Sequence, residues 1–160
     1  MNVGDTEYKE KSRLYTRAHT WAKITPQGYV KVGLSDYICL CKHLKGITYV
    51  WTESVGKKVR QMKPFGVVET WNFVLDIHAP ISGRLERINR RVIDNPHIIS
   101  QDPYGSGWIA EIKPTNLEEI KNLLNFMEYE RYCSKLCLVC PKKNCTLLIN
   151  LKMARRAPRI

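Results

Sequence analysis

The chain has 160 residues, 44% apolar and 26% charged, which is enough for one compact domain with a proper core and too little for a second of ordinary size. No apolar run approaches the roughly 20 residues a membrane-spanning helix needs, and Met1 to Arg13 is polar and mixed in charge, unlike a signal peptide; a cytoplasmic protein is the default expectation. The formal net charge is +11, but Cys133 to Ile160 holds seven Lys or Arg and no Asp or Glu, leaving +4 for the other 132 residues, so any basic footprint belongs to the C-terminal segment.

In chain order, residues 1–13 read as a flexible extension. Tyr29-Val30-Lys31-Val32-Gly33-Leu34 alternates as a half-buried strand should and follows the turn-like Thr25-Pro26-Gln27-Gly28. Ile47 to Trp51 is rich in β-branched and aromatic residues and predicts a second strand. Phe65 to Thr70 and Val74 to Ala79 predict two more, joined by a tight connection around Trp71, Asn72 and Phe73. Arg84 to Ile88 and Trp108 to Ile112 alternate with period two. Many short strands at this spacing predict a small sandwich or barrel. One helix is signalled: Thr115-Asn116-Leu117-Glu118 has the form of a capping box, with Pro114 just before it. Leu117, Ile120, Leu124 and Met127 then recur at helical spacing with Leu123 beside them, predicting a helix to about Cys140, ahead of Pro141.

The six cysteines are clustered. Cys133, Cys137 and Cys140 are spaced four and three residues apart, which on one helix puts them on a single face, and Cys145 can return to them after Pro141. Four converging thiolates would suit zinc or an iron–sulfur cluster, although this spacing is a specific signature of neither. Arg131, Lys135, Lys142 and Lys143 around them would lower the thiol pKa values. Redox-active dithiols and ordinary reduced thiols are the alternatives. Cys39 and Cys41 could join such a site only if the tail folds back over the body.

Several segments together carry a family resemblance. Tyr15-Thr16-Arg17-Ala18-His19-Thr20-Trp21, Val32-Gly33-Leu34-Ser35-Asp36-Tyr37, Pro64 to Glu69, Ala79-Pro80-Ile81-Ser82-Gly83 and Asn95 to Trp108 follow one another in the register of the glycine cleavage H proteins. Over residues 14 to 128 the chain resembles that family. The resemblance implies a lipoyl-type barrel-sandwich hybrid, a flattened β-barrel that is mainly β with helices. Three parts are therefore expected: the 1–13 extension, an H-like domain over 14–132 including the C-terminal helix, and, outside the family pattern, a Cys-rich basic extension over 133–160.

In the family, a lysine at one hairpin tip is acylated by lipoate, and the arm shuttles an aminomethyl group between the decarboxylase, aminomethyltransferase and lipoamide dehydrogenase. Where the family reads E-S-V-K-A-V-S-D, this chain reads Glu69-Thr70-Trp71-Asn72-Phe73-Val74-Leu75-Asp76, so Asn72 stands at the lysine's place. A carboxamide nitrogen is delocalised and not a nucleophile, and no Lys lies between Phe65 and Lys113, so covalent lipoate is not expected. Trp71, Phe73 and Leu75 also depart from the family's smaller residues. Glu69, Trp71, Phe73 and Asp76 are therefore docking candidates, with packing of Trp71 and Phe73 on the body as the alternative. His19 and His78 read as structural, and no catalytic constellation is evident. The reading is a non-catalytic, non-lipoylated H-like module that binds, scaffolds or regulates protein partners of a glycine cleavage or other lipoate-dependent assembly. A redox or electron-transfer accessory with a Cys-ligated zinc or iron–sulfur site is the alternative. A basic nucleic-acid binder ranks third, and no membrane partner is expected.

Overall fold

The computed structural model describes residues 11–39, 46–71 and 73–138, with the backbone alone described at 38, 39, 137 and 138. Nine strands build it: β1 (Leu14–Tyr15), β2 (Thr20–Ile24), β3 (Val30–Leu34), β4 (Ile47–Thr52), β5 (Lys58–Val59), β6 (Pro64–Thr70), β7 (Val74–His78), β8 (Gly83–Ile88) and β9 (Ala110–Pro114). Short helices α1 (Asp36–Cys39), α2 (Arg90–Asp94) and α3 (His97–Gln101) interrupt them, and α4 (Phe126–Leu138) follows a 3₁₀ helix at Leu117–Asn122.

All strand pairs are antiparallel and fall into a six-stranded sheet, β1-β2-β3-β9-β8-β5, and a three-stranded sheet, β4-β6-β7. The fold is the mainly β, lipoyl-type architecture implied by the resemblance, as two sheets that do not close into a hydrogen-bonded barrel. Their inner faces share one core: Val32, Leu34, Leu85 and Ile112 from the larger sheet meet Val50, Val68 and Ile77 from the smaller. Alternation contributes, since residues two apart such as Val30, Val32 and Leu34 turn to one face, while β4 and β8 interrupt it at register shifts. Close approach needs glycine at Gly83, where a Cβ would collide with the Lys113 carbonyl oxygen across the β8–β9 pair.

The C-terminal helical stretch differs from the expectation of one helix from Thr115 to Cys140. Asn116, not Thr115, is the cap, its side chain accepting from Glu118 N at 3.1 Å. The first turns are 3₁₀, and the Glu119 carboxylate is drawn away to accept from Ser82 N (2.7 Å) and Ser82 Oγ (2.9 Å). Leu123 is then extended, and Leu124 exchanges two 2.8 Å backbone hydrogen bonds with Tyr15, which ends the first helix. A second capping box restarts it: Asn125 Oδ1 accepts from Glu128 N at 2.9 Å, and Glu128 Oε2 from Asn125 N at 2.8 Å. The helical stripe breaks accordingly, with Leu117 and Met127 exposed and Leu123 buried. The last expected strand is shifted as well. Asn89 Nδ2 donates to the Trp108 carbonyl at 2.7 Å and Trp108 N closes the Gly105 turn, so β9 begins at Ala110.

Candidate hairpin-tip site

The candidate tip lies on the β6–β7 hairpin, with Gly66 inside β6. A Cβ on Gly66 would press on the Trp51 carbonyl oxygen of β4, so glycine there lets β4 and β6 pair closely. The pairing runs Pro64↔His78, Gly66↔Ile77, Val67↔Asp76, Val68↔Leu75 and Glu69↔Val74. Beyond Glu69, Thr70 N donates to the Phe73 carbonyl at 2.8 Å, and Phe73 N donates to Thr70 Oγ1 at 3.0 Å. These bonds draw Thr70 and Phe73 together at the end of the hairpin. Asn72 itself lies outside the described residues.

The other tip candidates separate. Trp71 is 72% exposed, whereas Phe73 and Leu75 are half-buried and pack on the shared core. Asp76 is exposed and Glu69 half-buried. Their registers place both on the outer face of the small sheet, with Val67 and Val74. That face continues onto β4 through Tyr49↔Glu69 and Trp51↔Val67, and both aromatics stand about half exposed. The sequence alone does not single out Tyr49 and Trp51. Aromatic alternation in Ile47–Thr52 was visible there, but which face it turned depends on the β4–β6 register and the shift between Ile47 and Tyr49.

A second cluster joins the start of the chain to α4. His19 Nδ1 lies 2.7 Å from the Tyr129 hydroxyl, which is 2.5 Å from Ser35 Oγ. The imidazole stacks on Tyr37 at 4.7 Å, and Tyr15 stacks on Tyr129 at 4.3 Å. Burial lowers the His19 pKa to about 4 and raises that of Tyr129, so both are neutral at physiological pH. These are the contacts of a structural histidine. Close by, Arg13 is buried, donates to the Tyr104 carbonyl at 2.5 Å and lies over the Trp21 ring at 4.5 Å. His78, at the base of the hairpin opposite Pro64, is far from the tip.

Of the cysteine set, Cys133 is half-buried on α4 beside Tyr129 and Tyr132, where its charge and hydrogen bonding help raise the Tyr129 pKa after burial. Cys137 is one helical turn further along α4 with only its backbone described, as for Cys39 at the end of α1. Cys41, Cys140 and Cys145 lie outside the described residues. Among the described residues, no three His, Cys, Asp or Glu side chains are grouped as a metal site, and no helix is long and apolar enough to cross a membrane.

Comparison with known proteins agrees with this geometry. The family model described as glycine cleavage H-protein matches residues 13–136. A probable glycine cleavage system H protein from Pyrococcus abyssi is 41% identical over 132 residues, covering 81% of this chain and 96% of the relative. The glycine cleavage system H protein of Acinetobacter baumannii is 40% identical over 116 residues, covering 72% and 91%. The crystal structure of a glycine cleavage system H protein from Mycobacterium marinum superposes with a TM-score of 0.65 at 32% identity, covering 78% of this chain and 96% of that one. By family model, sequence and fold alike, the chain belongs to the glycine cleavage H-protein family.

Proposed function

We propose that this chain is an H-protein module that works by docking and carries no lipoyl arm. Family members are non-catalytic carriers, and the chain is accordingly no enzyme; its partners are proteins of a glycine cleavage-type or other lipoate-dependent assembly. One observation carries the reading. The ladder of the hairpin ends at Glu69↔Val74, which leaves residues 70–73 as its connection, and residues 64–78 of the sequence include no lysine. Lipoylation joins the acid to an amine, and the donor set of this tip contains none. The residues present do not fit the group, and no step of the carrier cycle is assigned to them. What the tip offers instead is the exposed Trp71 indole, with Glu69, Asp76, Tyr49 and Trp51 on the adjoining outer face: an aromatic anchor with an acidic margin.

Co-expression with a lipoylating enzyme and intact-mass measurement test this. The wild-type chain is expected to keep its unmodified mass, and Asn72→Lys to gain the lipoyl increment. A lipoyl adduct on the wild-type chain would overturn the reading.

A second reading stays attached to the cysteines. Helix α4 runs unbroken through Leu138, so positions 133 and 137 are one turn apart on a continuous helix, as a thiolate site would need. In that reading Cys133, Cys137, Cys140 and Cys145 hold zinc or an iron–sulfur cluster in a basic extension over 133–160, and the two-sheet body docks. Zinc and iron analysis of anaerobically purified protein decides it, and a colourless protein without either metal removes it.

A further inference from the structure

At the end of the hairpin away from the tip, the edge strand β5 and the turn after it border a cleft of about 530 Å³. Lys58, Arg60, Lys63 and Arg84 line it, against one carboxylate among the described residues, Glu119. That carboxylate is already engaged by Ser82 N and Ser82 Oγ. Gln61 completes the floor, its side-chain amide donating to the carbonyls of Pro80 (3.0 Å) and Glu119 (2.8 Å). The cations are thus mounted on a cross-linked base, and Met62 beside them holds a positive φ of 63°, which a residue with a side chain adopts only where the surroundings enforce it.

The strand register sharpens the charge pattern. Lys58 pairs directly with Arg84, and Arg84 pairs directly with Lys113, so three cations form one rung across β5, β8 and β9. Like charges directly opposite one another in a ladder are destabilising. The same sheet shows how such a row is otherwise neutralised. Lys31 and Arg87 also flank one position of β9, but that position is Glu111, which pairs with Lys31 at 3.7 Å and Arg87 at 3.4 Å. Two residues further along β9, where Glu111 has its counterpart, stands Lys113. Among the described residues no carboxylate pairs with Lys58, Arg60, Lys63, Arg84 or Lys113.

We propose that this cleft binds a small molecule bearing two or more adjacent phosphate groups, held by Lys58, Arg84, Arg60 and Lys63, with Lys113 adding to the field. The bound anion does for the Lys58–Arg84–Lys113 rung what Glu111 does for the neighbouring row. A cleft of this size suits a cofactor-sized ligand rather than a polymer. Among the described residues no aromatic side chain lines it, so they offer no surface on which bases of a single strand could stack. Guanidinium groups from a turn and a strand converging on one opening suit paired phosphate oxygens. The proposal does not rest on the reading of the hairpin tip.

Calorimetric titration of the full chain with inorganic tripolyphosphate at about 20 mM ionic strength is expected to show one saturable site, weakening steeply by about 200 mM salt. Arg84→Gln, and separately Arg60→Gln with Lys63→Gln, should each weaken binding about tenfold. The second pair lies outside the β5–β8 ladder, so a folding defect in Arg84→Gln does not remove the test. Neutralising Lys152, Arg155, Arg156 and Arg159 to Gln should leave the affinity unchanged. Arg84→Glu, which places a carboxylate at the centre of the rung, should abolish binding and raise the melting temperature at low salt. Absence of a saturable site, a loss that follows the 152–159 substitutions instead of the cleft, or citrate binding as tightly as tripolyphosphate would each overturn the proposal. So would tighter binding of a single-stranded RNA of the same charge.

Discussion

The buried imidazole of His19 makes stability depend on pH in a way that can be worked out. In the folded chain its pKa is lowered by burial to about 4, from an unfolded value of 6.5. Between these values the unfolded chain binds a proton that the folded chain does not, so stability is full above pH 6.5 and falls as the pH drops toward 4. At pH 5 the unfolded histidine is almost wholly protonated and the folded one only about a tenth, a difference of roughly 2 kcal/mol relative to pH 7.5. For a chain of this size that corresponds to about 4–8 °C in melting temperature. Other groups titrate in the same window, so the informative measurement is a difference. Urea denaturation at pH 7.5 and pH 5 would be compared for wild type and His19→Asn. Asparagine is chosen because the backbone there has φ 68°, which Asn tolerates. His19→Asn should be less stable at pH 7.5, having lost the 2.7 Å contact to Tyr129, and should lack roughly 2 kcal/mol of the wild-type loss between the two pH values. Parallel pH profiles for the two proteins would refute the reasoning, since the shift would then not reside at His19.

Other perturbations separate structural from surface roles. Trp71→Ala, at a side chain 72% exposed, should change stability by no more than about 0.5 kcal/mol. Phe73→Ala, two positions on and packed against the core, should cost about 1–3 kcal/mol. Capture of a partner from native extract should fail with Trp71→Ala while the fold, followed by circular dichroism, stays intact; undiminished capture would remove Trp71 as the anchor. Gly83→Ala should destabilise by more than about 2 kcal/mol in urea, because the new Cβ meets the Lys113 carbonyl of the paired strand. Arg13→Ala should cost about 2–3 kcal/mol by the same measurement, through loss of the charge-assisted bond to the Tyr104 carbonyl and of the packing on Trp21. A loss no larger than at Trp71 would place Arg13 outside the folded body.

Local patterning made most of the strands legible. Val30–Leu34, Ile47–Thr52 and the two hairpin strands stand within a residue or two of where alternation places them, because a two-residue period buries one face however the sheet is assembled. The absence of an amine from the hairpin is likewise a property of the amino acids alone. The C-terminal helical stretch departs from its local pattern for a reason that is not local. Thr115-x-x-Glu118 is a valid start signal, but the adjoining Glu119 carboxylate is claimed by Ser82 and the Leu124 backbone by Tyr15, partners 37 and 109 positions away. The true capping box at Asn125 and Glu128 was present as a motif and was masked by a stripe that ran through it.

Along the hairpin, the sequence alone determined that two aromatics flank Asn72 and that residues 64–78 contain no lysine. Tertiary structure decided that the two aromatics differ, Trp71 projecting outward while Phe73 turns back onto the core. It also decided that Tyr49 and Trp51 share the outer face with Glu69, and that Lys58, Arg84 and Lys113 fall on one rung. The reason is register. Side-chain chemistry is written residue by residue, but which residues stand opposite one another is set only when strands far apart in sequence pair, and a one-residue slip would send each to the other face.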